Sequence, residues 1–431
     1  MKVSVIGCGY LGAVHAAGMA QLGHVVVGID VDQAKVDLLN AGRAPFFEPG
    51  FEDLLAANRD RLSFSTDMSA TSDATIHFLA VGTPQAPSGA ADLRFVAEAI
   101  RALATHLTPG SVVVGKSTVP VGTAARLAEE IAPTGARLMW NPEFLREGFA
   151  VSDTLAPDRL VYGIGKGDED LVSVLDEVYR EILAKDTPRL VMDYNTAELV
   201  KVAANSFLAT KISFINAMAE IADAVGADVT KLADAIGHDS RIGRRFLNAG
   251  IGFGGGCLPK DIRGFVQRAN ELGVGQAVEF LGNVDQINLR RRRRVEEVLR
   301  EELGDLNGKT IAVWGLAFKP DSDDIRDSPA LDIVEGLARA GARVRAFDPE
   351  AMGPAGRRLE AGELSESVTL AASQTDALDG ADALVVATEW SVFRDFDPTS
   401  VPGRLVVDGR NCLDPEVWKS AGWTYRGMGR R

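Results

Sequence analysis

Cys257 stands in the stretch GFGGGCLPKD, residues 252–261, with a run of glycines before it and Lys260 and Asp261 just behind. A thiol attacks as its thiolate, and nearby positive charge and backbone N–H donors raise that fraction. The glycines expose N–H groups, Lys260 supplies charge, and Asp261 is a carboxylate able to orient a water. From these residues alone two readings stand: a catalytic cysteine, or a small packing residue of the kind a lone cysteine often is. A second pair, Lys201 and Asn205 in ELVKVAANSF, is four residues apart and so shares one face of a helix. The other two cysteines, Cys8 and Cys412, form neither a CxxC pair nor a disulfide framework. The histidines show no HxxxH spacing, and no metal site is expected.

The other chemistry-bearing stretch is Gly7-Cys8-Gly9-Tyr10-Leu11-Gly12. It fits G-x-G-x-x-G, follows the β-branched run Lys2–Ile6, opens a helix-forming segment, and precedes an acid, Asp30, at the end of VVVGID. Gly7 permits the tight turn, Gly9 lets backbone approach a pyrophosphate, and Gly12 lets the helix pack close. The helix N-terminus then offers N–H groups to phosphate. Asp30 accepts from the adenosine ribose hydroxyls and repels a 2′-phosphate, which favours NAD over NADP. Cys8 reads as packing. VGTP and KSTVPVGT each follow a strand, so Thr83 and Thr118 are candidate ligand contacts.

Elements that position these residues follow from the pattern around them. Apolar runs at Ala74–Val81, Ser111–Gly115 and Arg137–Trp140 alternate with helical stretches, which implies a parallel sheet with helices on both faces. From Asp193 to Gly226 apolar residues recur at three- and four-residue spacing without glycine or proline, predicting one long helix. At Asn307-Gly308 the strand–turn pattern restarts: KTIAVWGLAF leads to a glycine turn, and ARVRAFDP ends in Asp348 as VVVGID ended in Asp30. The fold class expected is α/β, with two Rossmann-like parallel-sheet domains joined by a long central helix and a helical region. The expected domains are 1–192, cofactor binding; 193–302, helical, carrying the cysteine loop and a subunit contact; and 303–431, substrate binding.

With 431 residues and a net charge of −14, the chain is a multidomain globular protein for which nucleic acid or an anionic membrane is an unsuitable main partner. No apolar run is long enough to span a bilayer, the N-terminus reads as a strand and not as a signal, and three scattered thiols suit a reducing cytoplasm. The run Arg290–Arg294 reads as a solvated helix face, with a dedicated anion site as the alternative.

Taken together, GFGGGCLPKD, GCGYLG, KSTVPVGT, NPEFLREG, ELVKVAANSF and AFKPDSDDIRDSPA resemble the UDP-glucose 6-dehydrogenase family, within the wider group of NAD-dependent nucleotide-sugar dehydrogenases. The resemblance runs in order from Val3 to about Arg410. It implies a four-electron oxidation of the C6 alcohol of UDP-glucose to a carboxylate, with two NAD reduced and a cysteine adduct holding the aldehyde between hydride transfers. By resemblance Cys257 is the nucleophile, and Lys201 and Asn205 meet the C6 oxygen. Glu147 and Asp261 position or deprotonate water, with Thr118 assisting. Glu143, Phe144, Leu145, Arg146, Phe253, Gly254, Phe318, Lys319 and Arg410, with Lys201 and Asn205, match substrate positions. Arg241 matches an arginine that reaches a neighbouring subunit's substrate. The cofactor set is Gly7, Gly9, Tyr10, Leu11, Gly12, Asp30, Lys35, Thr83, Thr118, Glu147, Lys260 and Arg326. Gly256 departs from the pattern, since many relatives carry serine or a bulkier residue there. The family implies a homodimer or larger homo-oligomer.

Within the class the alternatives are a GDP-mannose 6-dehydrogenase and a UDP-N-acetylhexosamine dehydrogenase. A two-electron hydroxyacid dehydrogenase accounts for a Lys/Asn pair after a Rossmann domain but needs no thiol. An NAD-sensing binding protein leaves Lys201, Asn205, Cys257 and Asp261 idle.

Overall fold

The computed structural model describes residues 1–362 and 366–430. Its chain forms two compact units, one of residues 1–204 with 263–275 and one of residues 205–262 with 276–431. In the first unit eight strands are laid down: β1 Lys2–Ile6, β2 Val25–Ile29, β3 Leu62–Ser65, β4 Ile76–Leu79, β5 Val112–Gly115, β6 Arg137–Trp140, β7 Leu160–Ile164 and β8 Arg189–Asp193. They pair in the order β3-β2-β1-β4-β5-β6-β7-β8, parallel throughout except at β6–β7. Side chains alternate across this sheet. Val112 and Val114 of β5 enter one apolar cluster and Val113 the other, and Phe78 and Leu79 of β4 divide in the same way. A sheet covered on both faces needs strands buried on both sides, and β4 and β5 are buried at every position.

The second unit repeats the scheme with β9 Thr310–Trp314, β10 Arg343–Phe347, β11 Val368–Leu370, β12 Ala383–Val386, β13 Leu405–Asp408 and β14 Thr424–Gly427, ordered β11-β10-β9-β12-β13-β14 and parallel throughout. The first six strands of one sheet and all six of the other thus share one strand order, as the repeated turn and acid in the sequence suggested. Asp348 holds the place in this half that Asp30 holds in the other. Its fully buried carboxylate accepts from the backbone N–H of Leu316, Ala317, Glu350 and Ala351 at 2.7–3.0 Å. That acid is saturated by its own turn and has no lone pair to offer a ribose.

Five helices matter for the site: α1 Tyr10–Gln21, α2 Thr123–Ile131, α3 Tyr194–Val225, α4 Leu258–Glu271 and α5 Phe280–Leu303. The 32-residue α3 has the extent its periodicity predicts. Asp193 starts it, accepting from the Thr196 N–H at 3.0 Å, and Gly226 stops it in the left-handed region at φ 73°.

The run Arg290–Arg294 on α5 is not the solvated face expected. Arg291 and Arg292 are buried, while Arg290 pairs with Glu220. Val284, Asn288, Arg291, Val295 and Val298 recur at helical spacing and define the buried face, so the periodicity already placed Arg291 inside.

Candidate active site

In the first unit the dinucleotide turn is set by close approach. A Cβ at Gly12 would lie 1.8 Å from the Gly7 carbonyl oxygen, so α1 can start where it does only with glycine at that position. Gly9 is different: a Cβ there would meet nothing within 4 Å, and the turn leaves clearance on that side. A pyrophosphate fits this cradle, with the first N–H groups of α1 as donors. Cys8 is a packing residue: fully buried, its thiol pushed well up by burial.

Asp30 sits at the end of β2 and holds the turn through the Cys8 N–H at 2.9 Å, while Lys35 Nζ straddles both its oxygens at 3.0 and 3.1 Å. Taken alone, Asp30 is a bare negative charge. In the structure that charge is balanced by Lys35, so repulsion of a 2′-phosphate is weaker than the acid alone implies.

Thr83 and Thr118 come together. The Thr83 hydroxyl donates to the Thr118 carbonyl at 2.7 Å, joining the loops after β4 and β5. Glu198 on α3 pins the second of these loops, accepting from the Gly122 and Ala124 N–H groups at 2.7 Å each. The same helix presents Lys201, whose ammonium lies 2.9 Å from Glu143, both side chains largely buried. Glu143 also accepts from the Leu145 N–H at 2.6 Å, and Lys201 stands over the Phe144 ring. Arg146 pairs with Asp153, and Glu147 is half-buried just before Gly148.

Sequence reasoning missed Lys116, the first residue of KSTVPVGT. It is buried, donates to Asn141 Oδ1 at 3.0 Å, and shares that acceptor with the Tyr179 hydroxyl. Burial pushes its ammonium down to about 8, partly opposed by Glu143 and reinforced by Lys201. Its only sequence signal was a lysine directly after an apolar strand.

In the second unit Cys257 is exposed and directly precedes α4, its carbonyl accepting the first helical bond from the Asp261 N–H at 2.9 Å. The thiol thus stands at the N-terminus of a 14-residue helix, the positive end of its dipole. Lys260 has its neighbour Asp261 as a partner. Its ammonium lies 2.6 Å from Asp261 Oδ1, while Asp261 Oδ2 accepts from Asn205 Nδ2 at 2.7 Å. Lys260 and Asn205 therefore orient the Asp261 carboxylate.

The glycines before the thiol also have a different reason. A Cβ at Gly254 would lie 2.2 Å from the Asp327 carbonyl oxygen, one at Gly255 2.7 Å from the Phe318 ring, and one at Gly256 2.4 Å from the Arg326 guanidinium. The protein's own groups fill that space. Gly256, the departure from the family pattern, brings Arg326 to within one residue of the thiol.

The loop is held on every side. Asn288 exchanges hydrogen bonds with the Phe253 backbone at 2.7 and 2.9 Å. Arg292 donates to the Phe253 carbonyl at 3.0 Å and pairs with Asp327 and Asp332. Arg410, matched to a substrate position, donates to the carbonyls of Gly252, Phe318 and Ala387 at 2.8–3.2 Å. Asn288 and Arg292 were missed because a polar residue on an apolar helix face gives no sign of what it holds. Phe253 is buried, Lys319 stands over the Phe318 ring, and Arg241 is exposed beside Asp239.

Two Rossmann-type sheets, a pyrophosphate cradle and an exposed thiol on a helix N-terminus define the class of an NAD-dependent oxidoreductase. Residues 1–183 match the NAD binding domain of the UDP-glucose/GDP-mannose dehydrogenase family, 195–290 its central domain and 312–415 its UDP binding domain. The chain belongs to that family, and NAD is its cofactor. It is 41% identical to the UDP-glucose 6-dehydrogenase of Rhizobium meliloti (strain 1021), with all of both chains covered. It is 40% identical to that of Pseudomonas aeruginosa, over 100% of this chain and 98% of the other. Among solved structures it matches a UDP-glucose dehydrogenase from the hyperthermophilic archaeon Pyrobaculum islandicum, with TM-score 0.91 and 40% identity over 100% of this chain and 98% of that one.

Proposed function

We propose that this protein oxidises UDP-glucose to UDP-glucuronate through a covalent adduct on Cys257. The observation that carries the mechanism is the exposed thiol at the start of α4, with Asp261 held by Lys260 and Asn205 on the helix's first turn. NAD held at the Gly7–Gly12 turn would supply the hydride acceptor for C6 in each of two rounds. After the first, the Cys257 thiolate adds to the aldehyde carbon. An S–C6 bond forms and the carbonyl π electrons move to oxygen, where Lys201 and Asn205 donate to the oxyanion. When the second hydride leaves, the C=O re-forms as a thioester. Water, positioned by Asp261 or Glu147 with Thr118 assisting, adds to that carbon, and the thiolate leaves as the C–S bond breaks. The sum is alcohol, water and two NAD to carboxylate, two NADH and three protons. Capture on sulfur retains the aldehyde while keeping its C6–H available, which is what a four-electron oxidation in one site requires.

A panel of sugar nucleotides with NADH counted per sugar tests this reading. The expected result is two NADH per UDP-glucose, with GDP-mannose and UDP-N-acetylhexosamines at least about 10²-fold poorer in kcat/KM, a discrimination that buried polar contacts readily supply. One NADH per sugar, or turnover only of GDP-mannose, would sink it.

The chain also acts as a homodimer in this proposal. Phe207, Phe214, Ile221 and Val225 are exposed on α3 at steps of seven, seven and four residues, forming one continuous apolar stripe. A stripe repeating along a single helix is self-complementary about a two-fold axis, so a second copy is the partner it suits. Light scattering should give twice the chain mass, and Phe207→Asp/Phe214→Asp should give the monomer. A wild-type monomer at working concentration would overturn this part. Among the described residues no helix is long and apolar enough to cross a membrane.

A further inference from the structure

We propose that Glu48 is a positioning residue that locks the dinucleotide turn and the segment carrying Glu143 and Glu147 into one register, and so governs cofactor affinity and turnover together. The proposal rests on the function set out above for its turnover arm, and on the cofactor alone for its binding arm.

Glu48 lies between two short helices, Gln33–Asn40 and Phe51–Ala57, and its residue is 6% exposed. One carboxylate oxygen accepts from the Ala150 and Val151 N–H groups at 2.7 and 3.3 Å. The other accepts from the Gly148 N–H at 2.7 Å and from the Tyr10 hydroxyl. Tyr10 closes a triangle, its oxygen also accepting from the Gly148 N–H at 3.0 Å. A buried carboxylate with this many donors is saturated, and its donors come from two stretches of chain about 140 residues apart.

What it joins gives the arrangement its consequence. Tyr10 is the first residue of α1, next to Gly9, in the turn that cradles pyrophosphate. Gly148 directly follows Glu147, and the same short segment begins with Glu143, the partner of Lys201. The Tyr10 ring is fixed in turn, its centroid 4.6 Å from that of Phe46, which stacks on Phe51 at 5.3 Å. Burial and the adjacent carboxylate push the Tyr10 phenol well above its ordinary range, so it stays protonated and remains a donor. An amide cannot replace this acid. A glutamine would set an NH2 group against either the two helix N–H groups or the Tyr10 hydroxyl and the Gly148 N–H, donor facing donor.

The test compares Glu48→Gln and Tyr10→Phe with wild type in the full-length protein. NADH affinity is read by fluorescence titration without sugar, and kcat and KM with UDP-glucose and NAD. Each protein is first checked by thermal melting. Glu48→Gln should weaken NADH binding about tenfold and lower kcat about 10- to 100-fold, the scale of a sub-ångström to 1 Å misplacement of reacting groups. Tyr10→Phe, which removes one oxygen, should shift both in the same direction by about threefold or more. The proposal is overturned if both variants bind NADH and turn over within twofold of wild type. A lower melting temperature with unchanged affinity and kcat also overturns it, since that is a structural role only. Where Glu48→Gln does not fold, Tyr10→Phe decides by the same criteria. If wild type binds NADH but leaves UDP-glucose untouched, the functional reading fails while the binding arm still decides the role of Glu48.

Discussion

Cys257→Ser is expected to lower steady-state NADH formation from UDP-glucose by at least about 10⁴-fold, with no more than one NADH per active site in a first turnover. The magnitude follows from what the thiolate does: covalent capture divides the oxidation into steps, and a serine hydroxyl at the same helix end stays protonated at neutral pH. In transition-state terms 10⁴ is about 5.4 kcal/mol. The variant should fold and bind NADH as wild type does, because the exposed thiol contributes little packing and the loop is held by Asn288, Arg292 and Arg410 instead. Rapid-quench stoichiometry with NADH absorbance checks both halves. Sustained release of two NADH per sugar from Cys257→Ser would remove Cys257 as the nucleophile.

Lys201→Ala should damage stability and rate by separable routes. Its ammonium lies 2.9 Å from the largely buried Glu143 carboxylate. Removing one member of such a pair strands the other, at a cost of about 3–5 kcal/mol in comparable buried pairs. Lys116, buried close by, offsets part of that cost. The rate should fall about 10²- to 10³-fold, the usual loss for one donor to a developing oxyanion. The double variant Lys201→Ala/Glu143→Gln separates the two effects. Neutralising Glu143 should restore most of the lost stability and none of the lost kcat. A melting temperature unchanged in Lys201→Ala would mean that Glu143 does not depend on this lysine. Recovery of kcat in the double variant would mean that Lys201 serves structure alone.

Much of the arrangement was legible because it is local. The order of β1, the glycine turn, α1 and β2 is carried by contiguous residues, and so are the length of α3 and the restart at Asn307-Gly308. Asp30 could be tied to the turn because strand-end acids occupy a fixed place in such a unit. Less legible was which partner each charge takes. Lys260 and Asp261 are neighbours in sequence, and the pairing of one with the other was overlooked in favour of the thiol. Arg290–Arg294 looked solvated by composition, although its period put Arg291 inside. Glu48 carried no signal, since its donors at Tyr10 and Gly148–Val151 are brought to it only by the folded sheet.

The amino-acid sequence by itself determined the two repeated sheets, the cofactor turn and the long helix, because each depends on residue type and spacing within a few turns of chain. Tertiary structure decided the electrostatics. Lys35 balances Asp30, Asp261 takes Lys260 and Asn205, Glu143 takes Lys201, and Asp348 takes the backbone N–H groups of its own turn. A buried charge is costly until a partner meets it at about 3 Å, and which partner arrives is settled by packing over long sequence distances.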